Sequence, residues 1–350
     1  MLASAPSEAA PRPYVGGQAI IEGVFMRAPR ALAMAVRLPS GEISTQAQPY
    51  TPFFAKHKIF KLPFIRGAFV MIDALVVGMK ALSWSAEQAA IEDGDGTQPD
   101  EPAERPERAP LKDRLALGGT MAFSLVLGMG LFVALPHLLT DGLGWLTDTA
   151  LDVDGAAFHI VDGVVKLCIF LAYIALIRRS SEILRVFAYH GAEHKTIYTY
   201  EAGLPLELEQ VRRQSRFHPR CGTSFILFVV GISIVVFAVV FPLLPTIPIE
   251  NRLLLNLAQV GIKLPLMLPV SAFSYEIIRA SSKFYTKAAF FRWMAVPGLA
   301  LQRLTTEEPD DMQLEVAITA LQRALDIEAT LKGDDLGLEG EVFQLGNSAG

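Results

Sequence analysis

Only two cysteines and six histidines occur in 350 residues, and the cysteines do not form a disulfide framework. Cys168 lies inside an apolar run and Cys221 opens another, on what the distribution of basic residues makes the reducing side. Charge is scarce as well: 19% of residues are charged against 51% hydrophobic, too apolar a balance for an ordinary soluble domain. The net charge of -5 gives no sign of a nucleic-acid partner. Residues 1–13 are small and contain proline, with no apolar centre, so no secretory signal is expected there.

What is present instead is a set of long apolar runs. Residues 115–139 carry no charge after Leu115, and 222–244 carry none. Residues 161–177 include Asp162 and Lys166, and 253–275 include Lys263, Pro265 and Pro269, so a kink is expected there. Each run approaches the roughly 20 residues that a helix needs to cross a bilayer. The connection 140–159 has four Asp and no Lys or Arg, whereas 178–220 carries eight basic residues, among them Arg178, Arg179, Arg212 and Arg213. The positive-inside rule then places both termini and the 178–221 segment in the cytoplasm. The fold expected is mainly α: a polytopic membrane helix bundle of four spans, with a small N-terminal β unit and amphipathic interfacial helices. The partner this implies is the lipid bilayer, in a bacterial cytoplasmic (inner) membrane.

The divisions follow composition. Residues 14–55 read as the β unit, in which Gln18 to Arg27 is an extended run and Pro39-Ser40-Gly41 a turn. Glu22 interrupts the apolar run; it faces outward or is hydrogen-bonded there, unless it serves as a distant ligand. In 62–88, Arg66, Asp73, Lys80 and Glu87 recur every seven residues, a polar stripe that suits an amphipathic helix lying on the membrane surface, or packed against the bundle, rather than a free-standing span. Residues 92–110, acidic and rich in Pro and Gly, form a flexible linker. Residues 115–278 hold the four spans and a cytoplasmic helix hairpin, 178–221. Interfacial and cytoplasmic helices follow in 284–331, with a break near Pro297-Gly298. Asp310 and Gln313 cap a final helix over about 311–331, and 333–350 form a disordered tail.

The chemistry concentrates in the hairpin. His190 and His194 are one helical turn apart on one face, with Glu193 between them, in the order His-x-x-Glu-His. Two imidazoles so spaced can share a metal ion, and the carboxylate can serve as a general base. The helix ends at Gly203 with Pro205 beyond, and a second polar helix is expected over about 205–215. If the pair turns back near Leu204, reflection sets His218 level with His190, and Cys221 lies one turn further on. The expected metal ligands are His190, His194, His218 and Cys221, with Glu193 catalytic. Glu22, Glu201 and Glu276 are additional candidates, although Glu276 can instead pair with Arg279 one turn later. The cofactor implied is a divalent metal, zinc by its donor set.

These residues resemble those of the YqhQ-like family of bacterial membrane proteins, labelled as a predicted metal-dependent enzyme of unknown function. The matching blocks are GGQAIIEGVFMR from Gly16 to Arg27, YHGAEHKTI from Tyr189 to Ile197, and HPRCGTSF from His218 to Phe225. PGL at 297–299, LTTEEP at 304–309 and LEVAI at 314–318 continue the likeness, which covers about 14–330. Ala28 stands where the pattern more often has Gly, and Phe25 replaces a Met. The resemblance implies a multi-pass membrane protein and names no reaction.

Three functions suit these features. The first is a metal-dependent hydrolase acting on a membrane-associated substrate. The second is a non-catalytic scaffold or assembly factor whose His/Cys cluster is a structural clamp. The third is a transporter, suggested by Lys166 and Lys263 within spans and opposed by the lack of internal repeats.

Overall fold

Four short runs at the N-terminus pair as an antiparallel meander in a computed structural model that describes residues 12–56, 58–89, 119–120, 123–124, 126–147, 152–153, 155–284 and 288–331. The expected linker, 92–110, and tail, 333–350, lie outside the described residues, as does the start of the first span. Strands β1 (Gly16–Ile20), β2 (Gly23–Arg27), β3 (Ala31–Arg37) and β4 (Ile43–Pro49) follow one another in sheet order. Gly41, at φ 90°, supplies the left-handed residue in the turn before β4. The Gln18–Arg27 run is not one strand. It reverses at Ile21-Glu22, so that Ile20 pairs with Gly23 and Glu22 takes φ 52°. No Asn-Gly or Asp-Gly pair signals that turn. Gly23 is required by the adjacent strand instead, since a Cβ there would stand 2.1 Å from the Ala35 carbonyl oxygen.

The chain divides into two compact units: Met1–Ile91, Ile177–Leu227 and Ser271–Gly350 form one, Glu92–Leu176 and Phe228–Val270 the other. In the first unit the sheet is covered on both faces, and helices α1 (Arg66–Ala89), α4 (Ser181–Glu201) and α9 (Asp311–Leu331) do the covering. Val24, Met26, Ala31, Ala33 and Ala35 pack with Tyr189 and Ala192 of α4 and with Leu314, Ala317 and Leu321 of α9. The alternate residues Ile20, Phe25, Leu32, Met34 and Val36 pack with Val77 and Ala81 of α1. The alanines of β3 let α9 approach closely. Helix α9 begins with a reciprocal cap: the Gln313 N–H donates to Asp310 Oδ1 at 2.8 Å, and the Asp310 N–H to Gln313 Oε1 at 3.0 Å.

Helix α1 turns its polar stripe inward in part. Asp73 is buried, accepts from Arg27 at 3.0 Å and also bonds the Tyr50 hydroxyl, while Ile72, Leu75 and Val76 are exposed. A carboxylate held toward the sheet with aliphatic residues outward suits a helix whose outer surroundings are lipid.

The second unit contains α2 (Val126–Leu146), α3 (Ala156–Ile177) and parts of α6 (Gly222–Val240) and α7 (Arg252–Phe284). Five helices among the described residues are long and apolar enough to cross a membrane: counterparts of the four expected, the first ending at Leu146 rather than at 139, and Arg66–Ala89. The protein is a mainly helical, multi-pass membrane bundle with a small N-terminal sheet. Helix α7 continues through Pro265 and Pro269. Helix α8 (Ala289–Thr305) runs through Pro297 rather than breaking there, with Ala295, Gly298, Leu301, Gln302 and Thr305 buried along one side.

Candidate metal centre

Helix α4 carries the site. Ser180 in extended conformation precedes it, and Glu182 in its first turn complements the helix dipole. It ends in a Schellman arrangement: the Leu204 N–H reaches the Thr199 carbonyl and the Gly203 N–H the Tyr200 carbonyl, with Gly203 at φ 76°. The return segment contains a shorter helix than expected, α5, Leu208–Arg212. Lys195 of α4 donates to the Arg212 carbonyl at 3.0 Å and pairs with Glu308.

The His190 and His194 rings meet edge to face, with centroids 4.4 Å apart. One ligand atom from each, together with Cys221 Sγ, lie within 4.8 Å of one another. The reflection expected from the hairpin is displaced by about one turn: Cys221, not His218, meets His190, with Sγ 3.1 Å from its Nε2. The irregular backbone between α5 and Cys221 accounts for that offset, because it does not keep the helical rise.

Both imidazoles are oriented by main-chain carbonyls. His190 Nδ1 donates to Thr305 at 2.9 Å and His194 Nδ1 to Arg216. In each case the proton is fixed on Nδ1 and the Nε2 lone pair faces the cluster, that of His190 toward Cys221 Sγ, as in histidines that ligate metals. His194 Nε2 is buried with no hydrogen-bond partner. Such an orphaned lone pair is rare, and a cation within reach of the His190, His194 and Cys221 donors would satisfy it. Two imidazoles and a thiol make up a zinc-type donor set. The Cys221 sulfur also receives the Thr223 N–H at 3.4 Å and lies 3.1 Å from the Thr223 hydroxyl, at the N-terminal end of α6.

Glu193 completes the group. Its carboxylate stands 3.9 Å from His190 Nε2 and 3.7 Å from His194 Nε2, beyond a direct hydrogen bond to either. Burial pushes it up to about 7, against the opposing influence of His190. Gly17 of β1 makes room for it: a Cβ there would lie 2.9 Å from Glu193 Cγ and 2.7 Å from the Phe25 carbonyl oxygen.

His218 sits beside this group with its ring engaged elsewhere. Nε2 is 3.3 Å from Glu201, Nδ1 accepts the Arg220 N–H at 3.3 Å, and the ring centroid is 5.6 Å from that of His194. Burial holds His218 below its ordinary range, opposed by Glu201. For Glu201 burial acts upward, and the His218 bond and Arg220 charge outweigh it, so the carboxyl stays below its usual value. Glu22 pairs with Arg185, and Glu276 with Arg66 at 2.6 Å; neither is brought into the His/Cys group. Glu276 pairs with Arg66 rather than with Arg279.

Three supports were not evident from residue types. Gln302, fully buried on α8, holds the His218 peptide at both ends: its Oε1 accepts the His218 N–H and its Nε2 donates to the His218 carbonyl, each at 2.8 Å. Arg178 caps the end of α8, donating to the Arg303 and Leu304 carbonyls at 3.0 Å each and to Glu307 at 2.7 Å. Gly191 lets the next segment approach, as a Cβ would stand 2.2 Å from the Glu307 carbonyl oxygen. Together they position the Thr305 carbonyl on His190. The exposed pairing partners of these contacts are ordinary; the backbone acceptors are the part no motif reveals.

Residues 62–327 match the family described as "Protein of unknown function (DUF1385)". The chain is 34% identical over 319 residues to a protein of Bacillus subtilis (strain 168) described as "Uncharacterized protein YqhQ", covering 91% of this chain and 94% of that one. No solved structure matches. By the extent of both matches, the chain belongs to the YqhQ-like family, whose function is unknown.

Proposed function

We propose that the protein is a metal-dependent hydrolase with its site at the cytoplasmic surface of a bacterial inner membrane, acting on a membrane-associated substrate. The observation that carries this reading is the buried, unpartnered Nε2 of His194 beside His190 and Cys221, with Glu193 at hand. His190, His194 and Cys221 would hold the ion, and three protein ligands rather than four is the composition of catalytic rather than structural sites. When bound, a zinc-like ion supplies Lewis acidity. Glu193 takes a proton from the attacking water and returns it to the leaving group. Its carboxylate, 3.9 and 3.7 Å from the Nε2 atoms of His190 and His194, stands where both halves of that exchange would take place. His218, tied to Glu201 and Gln302, fixes the return segment rather than serving as a fourth ligand.

Placement at the membrane rests on composition. The unit that holds the site exposes Phe53, Ile59, Leu62 and Phe64 before α1, and Phe290, Trp293 and Val296 on α8. These match surfaces that lie in lipid, and we lay α1 in the same interface. With four crossings and eight basic residues in 178–220, both termini and the site are cytoplasmic.

The test compares membrane extracts from cells expressing wild type with those expressing Glu193→Gln, by untargeted mass spectrometry of lipids and small peptides. The expected result is an ester- or amide-containing species that wild type consumes and E193Q spares, with metal content equal in both purified proteins. Identical profiles with equal metal would overturn hydrolysis and leave the His/Cys group as a structural clamp.

A further inference from the structure

The second unit buries charge in helices that are otherwise apolar, and it does so in one connected chain. Arg252, at the start of α7, donates to Asp141 of α2, with Nη2–Oδ1 2.7 Å and Nε–Oδ2 2.9 Å. Asp141 Oδ2 accepts from Asn256 Nδ2 at 3.1 Å. That bond orients the amide, so Asn256 Oδ1 accepts from His137 Nε2 at 3.1 Å. With its proton on Nε2, His137 offers Nδ1 as an acceptor, and Lys263 Nζ stands 3.0 Å from it. The same amino group donates to Asp162 Oδ2 of α3 at 2.8 Å, and Lys166 Nζ lies 3.7 Å from that oxygen. His137, Asp162 and Lys263 are completely buried. Lys263 follows Arg252 by three turns of one helix, roughly 16 Å, about half of a ~30 Å hydrocarbon core.

Three features distinguish this from a static clamp. The charges do not balance: Lys166 and Lys263 share one carboxylate, Asp162, and an uncompensated cation at that depth is costly unless one amine gives up its proton. Unused hydrogen-bonding capacity lies close by, because Asp162 Oδ1 and both ring nitrogens of His159, one turn earlier on α3, are buried without hydrogen-bond partners. A π-turn at Gly130–Ala134, closed by the Leu135 N–H on the Gly130 carbonyl, precedes Pro136 and His137, and such turns recur at functional sites.

We propose that His137, Lys263, Asp162 and Lys166 form a proton-transfer pathway within the membrane-spanning unit, in which one proton is shared between the two lysines across Asp162. In the central step an N–H bond of the Lys263 ammonium breaks as an O–H bond forms at Asp162 Oδ2. That O–H then breaks as an N–H bond forms on the neutral Lys166 amine. Asp162 ends as the carboxylate it began as, and one positive charge has moved from Lys263 to Lys166. At the other end, an N–H bond of the Lys263 ammonium breaks as an N–H bond forms on the neutral His137 Nδ1, and the imidazolium so formed keeps its Nε2 proton on Asn256. Arg252, Asp141 and Asn256 are positioning residues that hold His137 in this tautomer. Solvent protons are the only ligand.

Full-length protein in liposomes with an entrapped pH-sensitive dye, under a potassium diffusion potential set with valinomycin, tests this. Wild type is expected to pass protons at least tenfold faster than protein-free vesicles, and Asp162→Asn to fall to the protein-free rate. Lys263→Arg keeps the charge but holds its proton, so it is expected to lose the flux, with its folding checked by a melting curve. His137→Gln, which retains an amide for Asn256, serves as the second variant if either of these fails to fold, and is expected to fall to the same rate. Wild-type flux equal to that of empty vesicles would overturn the proposal, as would undiminished flux in folded K263R or H137Q.

Discussion

His190 Nε2 and Cys221 Sγ lie 3.1 Å apart, although they come from different elements: a histidine in the middle of α4 and a cysteine at the threshold of α6. Each is held from behind, His190 by the Thr305 carbonyl and Cys221 by Thr223. Cys221→Ser keeps the size and the hydrogen bonds and removes the soft donor. It is expected to weaken zinc at least tenfold, read by competition with a chromogenic chelator, with little change in melting temperature in the metal-free state. Unchanged affinity would remove Cys221 from the ligand set.

Gly17 separates β1 from the Glu193 side chain. Gly17→Ala sets a methyl group against the Phe25 carbonyl and Glu193 Cγ, at 2.7 and 2.9 Å, so backbone must shift. The expected loss is about 1–3 kcal/mol, seen as a lower melting temperature in detergent. A melting curve equal to wild type would contradict the close packing of α4 on the sheet.

Gln302→Leu preserves volume and leaves both ends of the buried His218 peptide unpaired. The expected cost is about 1–3 kcal/mol for each unsatisfied group. Gln302→Glu, which keeps an acceptor for the N–H but loses the donor to the carbonyl, is expected to destabilise as well. Thermal melts of the two variants check this, and wild-type stability in Q302L would show that the peptide finds other partners.

Asp73 ties α1 to the sheet through Arg27 and Tyr50, with the Asp73 side chain 2% and the Arg27 side chain 17% exposed. Asp73→Ala removes the carboxylate from a half-buried cation that keeps its place over the Tyr50 ring, and is expected to cost about 1.5–3 kcal/mol. The double variant Arg27→Met, Asp73→Ala is expected to recover much of that loss. Equal stability of the single and double variants would show that the pair is not coupled.

How much of this was legible in the residues differs by element. Long apolar runs identified the spanning helices because hydrophobic length needs no tertiary information. Asp310 and Gln313 marked the start of α9, since a cap is a local contract between neighbouring residues. The spacing of His190 and His194 gave their common face for the same reason. The Ile21-Glu22 reversal was hidden: glutamate carries no turn signature, and the φ of 52° is imposed by the pairing of β1 with β2. The hairpin register was off by a turn because it depends on how the irregular 213–220 backbone is clamped by Gln302 on α8, distant in sequence. Carbonyls such as those of Thr305 and Arg216 belong to every residue alike, so no motif could single them out.

The most direct test is the metal content of wild-type protein purified without chelators from zinc-replete cells, measured by inductively coupled plasma mass spectrometry beside His194→Ala. The account requires close to one transition-metal ion per wild-type chain and near none in H194A. A monodisperse, folded wild-type preparation carrying no such ion, even after incubation with zinc and desalting, would contradict it.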